Sequence, residues 1–373
     1  MVNEEEKQIK RVVIKIGSSS LTSMHGEVSR RKLEKLADQI VELKDAGYET
    51  VVVSSGAVAA GYRKLGCINR PSDLPEKQAA ASIGQGLLME SYSELFLSHG
   101  YVASQLLITR GDFSDETRYG NMKNTMEVLL QRGIIPIVNE NDTITVDRLK
   151  FGDNDTLSAK VAALIGADLL IILSDIDGLY DDNPNSNPDA RLLEKVDAIT
   201  PEIEAAAGGS GSAVGTGGMK SKIAAFKIAM ASGIQSFLGK SSTRDILMDA
   251  VNGKAKGTYF EPKANAFNLD RKKQWIAFHS GPEGKVMISN DAKAAIIDKR
   301  RNIDALDIQE VIGRFNGGAV VTILDEDEEE FGLGRINFSS EQLKDVKKNN
   351  ESAAAIDQET FVCSLDFSMK VPS

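Results

Sequence analysis

The chain has 373 residues, of which 42% are hydrophobic and 26% charged, enough to bury a sizeable core and too long for a single compact one, so two domains are expected. A formal net charge of −10 argues against a nucleic-acid binder, whose affinity rests on clustered Lys and Arg. The charged N-terminus lacks an apolar segment, and the longest apolar run, Val161 to Leu173, is broken by Asp168 and too short to span a bilayer. No membrane association and a cytoplasmic location are therefore expected.

In chain order, RVVIKIG reads as a strand, Ser29 to Ala46 as an amphipathic helix, and ETVVVSSG as a second strand. After a further helical run come the strands ASQLLIT and GIIPIVNEND, a helix from Asp155 to Gly166, the strand ADLLIILSD, and a helix from Met219 to Ser232 leading into GIQSFLG. This βαβ rhythm predicts a parallel sheet covered by helices on both faces. Beyond about Phe260 the pattern turns polar and then to short strand-like runs such as GKVMIS, GAVVTIL and FGLGRIN. The expected division is a catalytic domain over 1–265, a linker over 266–280 and a small β-rich domain over 281–373. Acidic residues outnumber basic ones from Gly281 onward, and the run Asp325 to Glu330 reads as a solvated hairpin loop, without the spaced ligands of a calcium site.

Cys67 and Cys363 lie far apart without CxxC spacing, which supports neither a disulfide framework nor a zinc site. The histidines His25, His99 and His279 are isolated from one another, so Ser-His-Asp and Cys-His nucleophile systems are poorly supplied. Chemistry needing no histidine base is expected.

Ligands of open parallel sheets bind beyond the carboxyl ends of the strands. Four such positions stand out. Lys15 lies in the first strand, before a Gly17-Ser18-Ser19 turn whose N–H groups could approach an anion. Ser54 and Ser55 end the second strand, where Ser55 reads either as a helix cap or as part of a carboxylate site. VNENDT and FGDNDT place Asn139, Glu140, Asn141, Asp142, Asp153, Asn154 and Asp155 on two nearby loops. That mix of amides and carboxylates suits a free amino acid, whose ammonium needs acceptors and whose carboxylate needs donors. Asp142 and Asn154 are the candidates for those roles, and Asp155 also stands where it would cap the following helix. Finally, GGSGSAVGTGG, Gly208 to Gly218, holds six glycines in eleven residues and runs into Met219-Lys220-Ser221-Lys222, which suits phosphates or a flexible linker. Gly239-Lys240-Ser241 is not a P-loop, because its nearest upstream glycine, Gly233, is one residue too far away. Nor do the loop glycines open a first βα unit as a dinucleotide fold requires.

Taken in register, KIGSS, VSSGAVAAG, NENDTI, GDNDTLSA, SDIDGLY and GTGGMKSK resemble the amino acid kinase family over roughly Arg11 to Phe260. The resemblance implies a three-layer αβα fold with a mainly parallel central sheet, ATP with Mg²⁺ as phosphoryl donor, and free L-glutamate as acceptor on the route to proline. It assigns catalysis to Lys15, Lys222 and Asp155, the last holding the two lysines in place, and glutamate binding to Ser55, Asp142 and Asn154. It assigns the nucleotide to Lys15, Ser174, Asp175 and the stretch Thr216, Gly217, Gly218, Met219, Lys220, Ser221 and Lys222, with no metal held by the protein. It further implies feedback inhibition by proline and a homo-oligomer, dimer or tetramer. Gly120 and Lys220 depart from the residue types commoner in the family. The segment after Gly281 is similar to a PUA domain, with Asn302 to Val311 in place of the usual apolar-Pro-Gly segment. Phosphorylation of N-acetylglutamate, aspartate or uridylate is the alternative within the family, and an RNA-binding PUA protein the alternative outside it.

Overall fold

The computed structural model describes residues 9–23, 27–145, 154–184, 187–207, 218–262, 270–299, 301–349 and 352–363. The chain divides into one unit of Met1–Asp112 and Glu116–Ala264 and another of Phe113–Asp115 and Asn265–Ser373.

The first unit runs β1 (Arg11–Ile16), α1 (Ser18–Leu21), α2 (Arg30–Asp45), β2 (Glu49–Ser54), α3 (Ala57–Gly61), α4 (Leu74–Ser98), β3 (Ala103–Ile108) and α5 (Arg110–Ser114), whose last residues fall in the second unit. It continues with α6 (Glu116–Gln131), β4 (Ile135–Glu140), α7 (Asn154–Ile165), β5 (Leu169–Ser174), β6 (Lys195–Val196), α8 (Pro201–Ala207), α9 (Met219–Ala231), β7 (Gln235–Lys240), α10 (Ile246–Val251) and β8 (Thr258–Phe260). The sheet order is β3-β4-β2-β1-β5-β7-β8-β6, and all described pairings are parallel except β7 with β8.

The period-two alternation of a strand decides which side chains of β1 meet which helices. Val12, Ile14 and Ile16 point into a core shared with α2, α4 and α10. Val13 and Lys15 therefore face the opposite layer, where α7 and α9 pack side by side. The parallel ladder brings the carboxyl ends of β4, β2, β1 and β5 to one edge in that order, which fixes where ligand chemistry can be assembled.

Two glycines set the spacing of α3 and α4. A Cβ at Gly84 would lie 1.8 Å from the carbonyl oxygen of Ala57, and one at Gly61 would lie 1.9 Å from that of Ala80. The helices thus cross backbone against backbone, and α4 is drawn in toward the end of β2. Gly56, at φ +110°, supplies the left-handed turn that carries the chain from β2 into α3.

The second unit comprises α11 (Arg271–Phe278), β9 (Gly284–Ile288), α12 (Asn290–Lys299), β10 (Ile303–Asp304), a 3₁₀ turn (Ala305–Asp307), β11 (Ile308–Ile312), β12 (Val320–Leu324), β13 (Glu330–Ile336), α13 (Ser340–Lys348) and β14 (Ala354–Cys363). Its six strands follow the order β10-β14-β13-β12-β9-β11 around a core that includes Val286, Ile323, Phe331 and Ile356. The segment 266–280, read from sequence as linker, contains α11, and the short helices α12 and α13 were not legible among the strand-like runs. The acidic run does form the β12–β13 turn, but Asp325 is buried rather than solvated. Its carboxylate takes Lys293 Nζ at 2.6 Å and the backbone N–H groups of Asp327 and Glu329 at 3.1 and 2.9 Å. An isolated charge cannot be buried without such partners.

Candidate active site

Two clusters occupy the carboxyl edge of the first sheet. The central one is ionic. Asp155, the second residue of α7, is 0% exposed. Its Oδ1 pairs with Lys15 Nζ from β1, while its Oδ2 accepts from Lys222 Nζ of α9 at 3.2 Å and from Ser221 Oγ at 3.0 Å. Both lysines are buried. Burial on its own would push the Asp155 carboxyl up, but Lys15 and then Lys222 more than offset it and hold the group below the usual carboxylate range. The two lysines, more than two hundred residues apart in sequence, are thus gathered on one carboxylate. Of the two readings of Asp155, a cap for α7 and the carboxylate that holds the lysines, the structure places it inside the first turn with its carboxylate on Lys15 and Lys222, the strand alternation aiming Lys15 at this face.

The second cluster, over β2 and β4, is neutral. Asn154 Nδ2 donates to Ser54 O at 3.1 Å, Ser55 Oγ at 2.8 Å and Asn139 Oδ1 at 2.9 Å, so one of its N–H groups is shared. Asn139 Nδ2 donates to Gln85 Oε1 of α4 at 2.9 Å. Ser54 Oγ and Tyr92 OH are 2.8 Å apart, and burial raises the Tyr92 hydroxyl pKa, so this phenol stays protonated. Ser55 is not the cap of α3, since Gly56 holds that position without a side-chain bond.

The remaining candidates are distributed around these clusters. Asp142, on the turn after β4, is partly buried. Ser174, buried at the end of β5, donates from Oγ to Asp175 Oδ1 at 3.1 Å. Gly218 precedes α9 in extended conformation, Met219 is half-buried and Lys220 is exposed. Thr216 and Gly217, with most of the glycine-rich loop and Asp153, lie outside the described residues. Sequence reasoning missed Gln85 altogether and did not give Asn139 a role. Asn139 was flagged by the density of its loop, whereas nothing local marks one glutamine on a long helix. Among the described residues no group of three or more His, Cys, Asp or Glu side chains could hold a metal ion, and no helix is long and apolar enough to cross a membrane.

Two lysines on one buried carboxylate, beside an amide cluster at the carboxyl edge of a parallel sheet, suit the phosphoryl-transfer class of protein. The profile of the amino acid kinase family matches residues 10–240, and that of the PUA domain matches residues 284–356. The chain belongs to the amino acid kinase family. It is 65% identical to Glutamate 5-kinase 2 of Bacillus licheniformis, covering 96% of this chain and 98% of that protein. It is 62% identical to Glutamate 5-kinase 2 of Bacillus subtilis over 98% of this chain and 99% of the other, and 46% identical to Glutamate 5-kinase of Neisseria meningitidis serogroup C over 92% and 93%. In fold it is similar to the carbamate kinase from Giardia lamblia bound to AMP-PNP, with TM-score 0.50 and 22% identity over 68% of this chain and 99% of that one.

Proposed function

We propose that the chain transfers the γ-phosphoryl group of ATP to the side-chain carboxylate of L-glutamate, giving L-glutamyl 5-phosphate and ADP, the first step of proline biosynthesis. The observation that carries this reading is the pair of buried ammonium groups on one carboxylate, beside a neutral amide cluster. Two buried ammonium groups gathered at one point are placed to meet a triphosphate, and phosphoryl transfer needs such positioning and charge stabilisation more than covalent participation. In this mechanism a γ-carboxylate oxygen of glutamate forms the new bond to phosphorus as the bond to the β,γ-bridging oxygen breaks, and ADP leaves with that electron pair. An ionised carboxylate needs no base, which accords with the scarcity of histidine.

Asp155 holds Lys15 and Lys222 apart and aimed at the transferring group. Asn154, Ser55 and Asp142 grip the amino acid, and Ser174, Asp175 and the residues from Thr216 to Lys222 bind the nucleotide. Among the described residues no group of three or more His, Cys, Asp or Glu side chains could hold Mg²⁺, so the ion would enter with the triphosphate and, when bound, would neutralise charge on the phosphates. The unit over 1–265 acts as the catalytic domain and 281–373 as the PUA-like domain of a cytoplasmic homo-oligomer. Proline, which shares the α-carboxylate and a cationic amine with the substrate, is the feedback inhibitor that accords with an amino-acid site of this kind. Names carried by the relatives favour glutamate over N-acetylglutamate, aspartate or uridylate.

ATP consumption assayed against these four acceptors, with hydroxylamine trapping of an acyl phosphate, tests the reading. Turnover and hydroxamate with glutamate alone are expected; turnover with another acceptor only, or no trapped hydroxamate, would exclude it.

A further inference from the structure

We infer that Gln85 is a positioning residue for the amino-acid substrate, acting through Asn139 to fix the amide of Asn154. The inference rests on the reading above that Asn154 binds glutamate.

The orientation of every amide in the chain of contacts follows from backbone groups that admit one polarity only. The Glu140 backbone N–H donates to Asn139 at 2.9 Å, so the atom it meets is Oδ1. Nδ2 of Asn139 must then face Gln85, and it finds Oε1 at 2.9 Å. On the other side, Asn154 lies 3.1 Å from the carbonyl oxygen of Ser54, an acceptor only, so the facing atom is Nδ2. With both N–H groups of Asn154 spent on Ser54, Ser55 and Asn139, its Oδ1 is left to meet a ligand. An oxygen is what an α-ammonium group requires. Freed from this relay, Asn154 could rotate and offer N–H donors, which would repel an ammonium.

Gln85 is itself poorly served by its position. It is 8% exposed on α4, and its Nε2 has no partner among the described residues. A buried amide with an unmade donor is costly to a fold, and a methionine or leucine would fill the same space without it. Its Oε1 is the part that does something an apolar side chain could not. The crossing of Gly84 on Ala57, one residue earlier, brings this oxygen within reach of β4.

Gln85→Met keeps the volume and removes the acceptor, and Gln85→Glu keeps an oxygen at the same reach. Gln85→Met should raise the glutamate KM roughly 3- to 10-fold, the ratio one neutral buried hydrogen bond carries, while kcat and the ATP KM stay within about two-fold. Gln85→Glu should restore the glutamate KM to near the parent value, and Asn139→Ala, one link nearer, should show the same selective rise. Thermal midpoints of all variants are measured alongside. An unchanged glutamate KM in Gln85→Met, an equal rise in both KM values, or a Gln85→Glu no better than Gln85→Met would overturn the relay. Asn154→Ala separates the two layers of the argument. If it leaves the glutamate KM unchanged, the substrate reading itself falls; if it raises that KM while Gln85→Met does not, only the relay falls.

Discussion

Asp155 in the first unit and Asp325 in the second are both buried carboxylates, 0% and 3% exposed, and both are held below the usual carboxylate range. Their surroundings differ in one respect. Asp325 is lowered first by its bond from Lys293, against burial, with help from the N–H groups of Glu329 and Asp327; one ammonium meets one carboxylate, and backbone donors complete the shell. Asp155 gathers two ammonium groups from distant elements. The first arrangement stabilises a turn, while the second brings ammonium groups from two distant elements to one point. The number of ammonium groups on the carboxylate, rather than burial or pKa, separates the two.

That comparison can be broken most directly at Lys222. Lys222→Ala should lower turnover by about 10²-fold or more, as expected for loss of a preorganised charge at a developing transition state. Steady-state kinetics at saturating glutamate and ATP would show it, and near-normal turnover would place Lys222 with the structural charges. Asp325→Ala should do the reverse. It leaves kcat unchanged but costs about 1–3 kcal/mol, because Lys293 and two N–H groups lose their acceptor. Urea unfolding reads this, and a fall in kcat without loss of stability would contradict it.

A third buried charge sharpens the distinction with the smallest effect. Lys160, further along α7, is pulled down to about 7, first by burial and then by nearby Arg110. Because the folded value lies below the ordinary 10.5, the unfolded chain binds more protons between these values and native stability rises with pH across that window. Lys160→Met should therefore raise the thermal midpoint by a few degrees near pH 6 to 7, and the gain should fade as pH approaches 10.5. A pH-independent difference would show that burial of the charge is not the cause.

Much of this is legible in the amino-acid sequence. The short apolar runs RVVIKIG and LLIILS read as strands, Lys15 is marked by the glycine-serine turn that follows it, and Lys220 and Lys222 by the glycine-rich run before their helix. What escaped was decided by partners remote in sequence. An aspartate at a helix start reads locally as a cap; that Asp155 answers to Lys15 and Lys222 follows only from the family resemblance, because no local spacing ties residues so far apart in the chain. Gln85 lies on the single buried stripe of α4, but the exposed face of that helix also carries apolar residues such as Ile83 and Leu97, so the sequence shows no clean stripe, and the role of Gln85 depends on an asparagine fifty-four residues away. In the second unit α12 has only a weak helical period, whereas α13 opens on a capping box at Ser339 and Gln342, a start signal obscured by the strand-like runs around it.

The two ammonium groups on Asp155 are buried in a chain whose formal net charge is −10. Both proposed substrates are anions approaching an anionic particle, so at long range they are repelled, and the buried ammonium groups act on them only at short range. Electrolyte screens the distant repulsion over a Debye length of about 8–10 Å while leaving buried charges nearly untouched. Moderate ionic strength therefore eases capture of the nucleotide, opposite to the behaviour of an enzyme whose entire surface attracts its ligand.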